Sequence, residues 1–464
     1  MNLEFIKYHK FSILMLLAAA AFYYSFGYDL AREDFMKLIS LYAGLFFISF
    51  KLVQLEKPNF WFLAGAAIFF RLLFLFALPN LSQDFYRFIW DGRLIVEGFN
   101  PFLHLPVEWA GEQPKIQGQA ELIQEMGTLS AANFTNYPPL NQFFFTVAAF
   151  LSGKSISGAV VVMRVITIAA DLGILYFGRK LLTALKLPEH RIFWYILNPF
   201  IIIEFTGNLH FEGVMLFFLI WSFYLLYRKK WIWAALLLGL SISVKLLPLI
   251  LLPLFLKFFR RNNRKEIPSL GNIDLPKLIA FYAIIISMVV LTFVPFFSEE
   301  ILRNFFQSIG LWFGKFEFNA SVFYIIRWIG FQFTGYNVIV YVGKILPLIT
   351  LLILTALAFG KKRITFQSFL TTFLFGISAY FFLSTTVHPW YIATPLLLSV
   401  FTTYRYVILW SFMVILSYSA YSNPQFQENS WLIAAEYLSV IGVFIFEVLR
   451  QENLITGFSF RSLR

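Results

Sequence analysis

Long unbroken blocks of apolar residues recur along the whole chain, separated by short polar clusters. Such blocks predict helices that cross a bilayer. Fourteen read as spans: residues 11–26, 36–50, 59–79, 158–178, 190–205, 211–227, 231–244, 246–259, 277–297, 336–358, 365–386, 390–402, 405–421 and 431–449. Several fall short of the roughly 20 residues needed to cross about 30 Å of hydrocarbon. The pairs 231–244/246–259 and 365–386/390–402 can each form a hairpin that dips in and returns, so 12 to 14 crossings are expected. The first span follows Lys7 and Lys10 and carries an alanine run, as a signal peptide does; an uncleaved first helix is expected, because no soluble domain comes after it.

The polar breaks set an orientation. Lys7/Lys10, Lys51/Lys57, Arg179/Lys180/Lys186/Arg191, Arg228/Lys229/Lys230, Arg260/Arg261/Arg264/Lys265, Lys361/Lys362/Arg363 and Arg461/Arg464 fall on one side of the fourteen-span arrangement. Basic short loops mark the cytoplasmic side. Loop 80–140 falls opposite, with seven acids (Asp84, Asp91, Glu97, Glu108, Glu112, Glu121, Glu125) against three bases (Arg87, Arg93, Lys115). There is no internal repeat and no Gly/Ser linker. The expected organisation is one transmembrane domain over 1–464, with outer segments 80–140 and 298–335 and a short cytoplasmic tail, 450–464.

Composition narrows the class. Hydrophobic residues make up 59% and charged residues 13%, against about 25% charged in soluble domains, and mean hydropathy is +0.73. Disorder is excluded. The net charge of +12 follows from the basic loops, so no nucleic-acid partner is implied. With no cysteine among 464 residues, disulfides, Cys-ligated zinc, iron–sulfur clusters and thiol catalysis are excluded.

Five polar clusters sit at outer span ends. In SQDFYRFIWDGRLIVEGFNPF (82–102), Asp84 and Asp91 are seven apart and share one helix face. Phe85, Tyr86, Phe88 and Trp90 read as interfacial anchors, whereas a carboxylate so near a span end must be solvated or paired. In NYPPLNQ (136–142), Pro138 and Pro139 stiffen the re-entry to the membrane. In NPFIIIEFTGNLHFEG (198–213), Glu204, His210 and Glu212 flank a turn at Gly207-Asn208 and read as functional groups, as mutual partners or as metal ligands, although no fixed ligand pattern is present. Lys245, in SVKLLPLILLPL, is either a snorkelling lysine or a cation for a phosphate. His388, in HPWY, is either part of an interfacial aromatic belt or a group that binds an anion or delivers a proton.

Carboxylates with cations at an outer face suit transfer of a sugar from a lipid-linked phosphate to a polar acceptor. One carboxylate serves as general base, and Lys or Arg neutralises charge developing on the phosphate. Phosphate is already a good leaving group, so the two-carboxylate machinery of glycoside hydrolysis is not required.

At these residues the sequence resembles the GT-C superfamily of membrane glycosyltransferases, with the strongest likeness to polyprenyl- or dolichyl-phosphate-mannose-dependent mannosyltransferases, the catalytic subunit of GPI mannosyltransferase I included. SQDFYRFIWDGR is similar to the acidic first-loop motif, with Asp84 as the acid and Asp91 as the second Asp; Gln83 stands where many members carry an adjacent acid. Tyr137-Pro138-Pro139, Asn198-Pro199 through Gly207-Asn208 and Glu212, and Lys245-Leu246-Leu247-Pro248 resemble three further elements, and the likeness runs through roughly residues 60–260 and weakly through His388.

The resemblance implies an all-α polytopic GT-C bundle. It implies inverting transfer of a hexose, mannose foremost, from a polyprenyl-phosphate donor to a glycan or lipid acceptor outside a bacterial inner membrane, without cofactor or metal. Asp84 is then the base. Lys245, with His388 and Arg93, holds the phosphate. Glu212, His210 and Asp91 orient acceptor or donor sugar, and Tyr137 belongs to the substrate site. A transporter or flippase of a lipid-linked sugar is the rival. It is disfavoured by the lack of repeats, but a helix broken at Lys245 would fit it.

Overall fold

A computed structural model describes residues 3–260, 273–360 and 365–451. The basic positions Arg261, Arg264, Lys265, Lys361, Lys362, Arg363, Arg461 and Arg464 lie outside the described residues, as does most of the tail 450–464. Among the described residues there is no strand, only two isolated bridges.

Helices of at least eight residues are α1 (Leu3–Tyr28), α2 (Phe35–Leu55), α3 (Phe60–Leu73), α4 (Asp84–Val96), α5 (Pro139–Ser152), α6 (Ile156–Ala184), α7 (Glu212–Tyr227), α8 (Trp231–Val244), α9 (Leu275–Phe293), α10 (Glu299–Gly314), α11 (Val322–Thr334), α12 (Ile339–Phe359), α13 (Phe366–Leu383), α14 (Tyr406–Met413) and α15 (Ser430–Gln451). Seven are long and apolar enough to cross a membrane: α1, α2, α6, α9, α12, α13 and α15. The chain is an integral, multi-pass, all-α membrane protein.

These seven correspond to seven of the fourteen apolar blocks. The other seven blocks are shorter or broken. Block 190–205 becomes a 3-10 turn, a four-residue helix, a three-residue helix and a π turn over Ile202–Gly207. Its last part, Pro199–Gly207, makes with α7 a pair bent by 117°, so among the described residues the long crossings number seven, or eight with that pair. Blocks 246–259, 390–402 and 405–421 likewise resolve into short α and 3-10 pieces.

Irregular backbone survives at membrane depth only if its freed carbonyls find donors. Arg164 of α6 provides them and is fully buried. Its Nε donates to the Thr206 carbonyl (2.6 Å) and its Nη2 to that of Gly207 (3.0 Å). Its Nη1 donates to the carbonyls of Leu75 (3.0 Å) and Ala77 (2.6 Å), just beyond α3. One guanidinium thus ties the π turn to the segment that leads into α4. Seven residues further along α6, Asp171 forms a buried ion pair with Arg71 of α3 at 2.7 Å.

Loop 80–140 is built on α4 packed against α5. Phe88 stacks on Phe145 with centroids 4.4 Å apart. Gly92 permits this approach, because a Cβ there would lie 2.3 Å from the Phe145 carbonyl oxygen. Pro139 occupies the first turn of α5 with Pro138 extended before it, as the proline pair predicts. Segments 80–140 and 298–335 touch: Asn304 of α10 donates to the Phe102 carbonyl (3.1 Å) and Ser308 to that of Phe134 (3.0 Å).

Candidate active site

Asp84 is the first residue of α4 and remains partly exposed. A carboxylate in the first turn is favoured by the helix dipole. The Tyr137 hydroxyl stands 3.5 Å from its Oδ2. Burial first, then the charges of Asp84 and Glu212, push that hydroxyl well above its ordinary pKa, so it stays a neutral donor. The Lys245 ammonium lies over the same ring, 4.8 Å from its centroid.

Lys245 is the extended residue at which α8 ends, before the short helix Leu247–Ile250. The break carries its ammonium to Glu212, the first residue of α7, with Nζ 3.0 Å from Oε1. Glu212 Oε2 is buried without a hydrogen-bond partner.

Glu204 and His210 pair with each other across the π turn. His210 Nδ1 lies 3.1 Å from Glu204 Oε2, and the Tyr418 hydroxyl donates to Glu204 Oε1 at 2.8 Å. The chain reverses between them through Leu209, which adopts φ +62°. Such a conformation costs a bulky residue about 1–3 kcal/mol, and here complete burial of Leu209 opposes that cost. The mutual pairing left open for this cluster therefore exists for Glu204–His210, while Glu212 turns to Lys245. His210 Nε2 is also buried without a partner. Among the described residues no three His, Asp or Glu side chains are grouped to hold a metal ion.

His388 joins through rings. Trp390 is wedged between the two imidazoles, 3.7 Å from His210 and 4.6 Å from His388 by centroids. Burial, then the neighbouring His210, Lys245 and Arg32, pull His388 down to about 3. It is therefore neutral at physiological pH.

The structure thus brings together Asp84, Tyr137, His210, Glu212, Lys245 and His388. It does not bring Asp91 or Arg93 with them. Asp91 is fully buried and saturated, accepting from Arg87 Nε (2.8 Å), Thr135 Oγ1 (2.6 Å) and Gln142 Nε2 (2.9 Å). It fixes the approach to Tyr137 from behind. Arg93, two residues on, donates to the carbonyls of Gln117 and Lys154, stitching the loop to the end of α5.

Sequence reading missed Arg32. It lies in the turn between α1 and α2, with its guanidinium 3.4 Å from the Tyr421 ring centroid and its Nε buried without a partner. Its charge acts on His388 and Tyr421, and the Asp84 charge acts on Tyr421 as well. The signal was a lone arginine between two apolar blocks, in a six-residue turn that otherwise carries only Asp29, Glu33 and Asp34 as charges. Trp390, Tyr418 and Tyr421 were likewise read only as membrane-belt or span residues.

Residues 36–260 match the model of the family described as alpha-(1->6)-mannopyranosyltransferase, N-terminal domain. The chain is also 22% identical over 208 residues to Alpha-(1->6)-mannopyranosyltransferase A of Corynebacterium glutamicum. That match covers 42% of this chain and 40% of the relative, less than half of either. The stretch that carries Asp84, Tyr137, Glu212 and Lys245 is therefore similar to the N-terminal domain of membrane mannosyltransferases, and the resemblance to the GT-C type drawn from its motifs is borne out.

Proposed function

We propose that the protein transfers mannose from a polyprenyl-phosphate donor to a hydroxyl of a glycan or lipid acceptor, with inversion, on the face of a bacterial inner membrane opposite its basic loops. The observation that carries this reading is a partly exposed carboxylate, Asp84, facing the Lys245–Glu212 pair across the Tyr137 ring. Asp84 accepts the proton of the acceptor hydroxyl as its oxygen attacks the anomeric carbon. The bond from that carbon to the phosphate oxygen breaks, and both electrons leave with the phosphate. Lys245 and Arg32 balance the charge that develops there. Glu212 Oε2 and His210 Nε2, buried and unpartnered, are groups for sugar hydroxyls. Neutral His388 and the Trp390 ring complete the wall. The single acid at Asp84 is sufficient because phosphate departs without protonation.

The test offers polyprenyl-phosphate-mannose and acceptor to the purified protein, wild type against Asp84→Asn. A general base contributes about 10²–10⁴-fold, so donor consumption that depends on acceptor and falls by that factor in the variant is expected. Full turnover by folded Asp84→Asn removes Asp84 as base. Donor binding without turnover by either protein favours the flippase reading, to which the broken helices at Lys245 and at the 117° bend would then belong.

A further inference from the structure

The end of the bundle away from the site carries an unassigned groove. It has a volume of about 410 Å³, within the roughly 300–1,000 Å³ of small-ligand pockets. Phe46, Phe47 and Phe50 of α2 form one wall; Ile408, Leu409 and Phe412 of α14 form the other. Its polar end is Arg405, beside Trp194.

Arg405 does not stand alone. Arg191 donates to the Thr402 carbonyl (3.3 Å), and Arg405 Nη1 to that of Ser399 (3.1 Å). Lys57, Arg191 and Arg405 all act on His190, and Arg191 acts on Arg405. Positive charges held this close repel one another. The carboxylates of this end are engaged. Glu447 accepts from the backbone amides of Arg405 and Tyr406 and its charge acts on Arg405, which leaves Arg191 and Lys57 as the excess of positive charge. Glu189 holds Arg179 and Thr183. Glu56 holds His9, Ser12 and Asn59. The arrangement is cationic at the membrane rim and continuous with an apolar slot between two helices.

We propose that this groove binds one anionic glycerophospholipid of the adjacent leaflet, its phosphate on Arg405 and Arg191 and one acyl chain along Phe46, Phe47, Phe50 and Phe412. The chain supplies affinity by burial, and the two guanidiniums select an anionic headgroup. This site is separate from the reacting centre and does not rest on the reading of it.

The test titrates the detergent-solubilised full chain with phosphatidylglycerol and counts bound lipid by native mass spectrometry. One copy retained at concentrations where phosphatidylcholine is not retained is the expected result. Arg405→Gln should weaken retention at least tenfold, and Arg405→Lys should preserve most of it. Ala43→Phe, which fills the slot from the α2 wall, should weaken retention equally while leaving the lipid-free melting temperature unchanged. Equal retention of phosphatidylcholine overturns the charge selection. Unchanged retention in Ala43→Phe overturns the groove. Displacement by millimolar inorganic phosphate assigns the cations to a free anion and overturns the lipid, as does a strict preference for polyprenyl phosphate over phosphatidylglycerol.

Discussion

Of the charged groups facing one another at the site, Asp84, Glu204, His210, Glu212 and Lys245 come from residues 36–260, the stretch that matches the mannosyltransferase N-terminal domain. The stretch beyond residue 366 brings mostly rings: His388 with Trp390, and Tyr418 and Tyr421 on the far wall. Within the first region the polar contacts are directed pairs at about 3 Å. Between the regions they are mainly stacked faces and one phenol on Glu204. On the proposed reading a division of labour follows: the first region, with Arg32 just before it, sets proton and phosphate chemistry, and the second shapes the surface that a sugar or lipid lies against.

The largest effect expected is that of Asp84→Asn, about 10²–10⁴-fold in kcat with little change in donor affinity. Next is Lys245→Met, which removes the cation and leaves Glu212 buried without its partner. A loss of about 10²-fold in kcat/KM is expected, with a lower melting temperature that Lys245→Met combined with Glu212→Gln partly restores. A Lys245→Met enzyme with normal kinetics would show that the pair is only structural. Trp390→Leu should act more weakly and through KM. Each ring contact contributes about 0.5–1.5 kcal/mol, so about tenfold or less is expected for each of its two imidazole contacts; a collapse of kcat as deep as that of Asp84→Asn would break the division.

The mildest test concerns pH. His388 is held neutral, down to about 3, by burial and by the cations facing it, whereas in the unfolded chain its imidazole titrates near 6.5. Between those values the unfolded state binds the extra proton, so stability is full above about pH 6.5 and declines as pH falls towards 3. His388→Asn should flatten that acid-side decline in melting temperature. It should also leave the pH–rate profile near 6.5 without a change assignable to this residue. An equally steep acid decline in the variant would locate the sensitivity elsewhere.

How much of this was legible in the chain depends on the distance over which each residue is satisfied. Continuous spans such as α6 and α12 were readable because an apolar block of that length has one outcome. Block 190–205 was not, since the π turn at its end is braced by Arg164 reaching the Thr206 and Gly207 carbonyls from another helix. Asp84 and Lys245 were readable as charges that a span end cannot leave unsolvated. Asp91 looked the same in sequence, and its different fate is decided by Thr135 and Gln142, 44 and 51 residues away. Arg32 escaped notice because what gives it meaning is Tyr421, almost a whole chain length later.

The buried arginines Arg71 and Arg164 also set a timetable for biogenesis. Arg71 enters the bilayer on α3, but its counter-charge, Asp171, is 100 residues further along. At about 5–20 residues per second, translation leaves that cation waiting for about 5–20 s. A lone arginine costs about 2.5–3.5 kcal/mol at the centre of an inserting helix and less in the last turn, where Arg71 stands. Arg164 waits in turn for carbonyls 42 and 43 residues downstream. Helix α3 should therefore enter shallow and settle to its final depth only when α6 arrives. Chains arrested before Asp171 should show this as a shifted position in glycosylation mapping of α3, whereas a depth identical to that of the full chain would mean that Arg71 is accommodated without its partner.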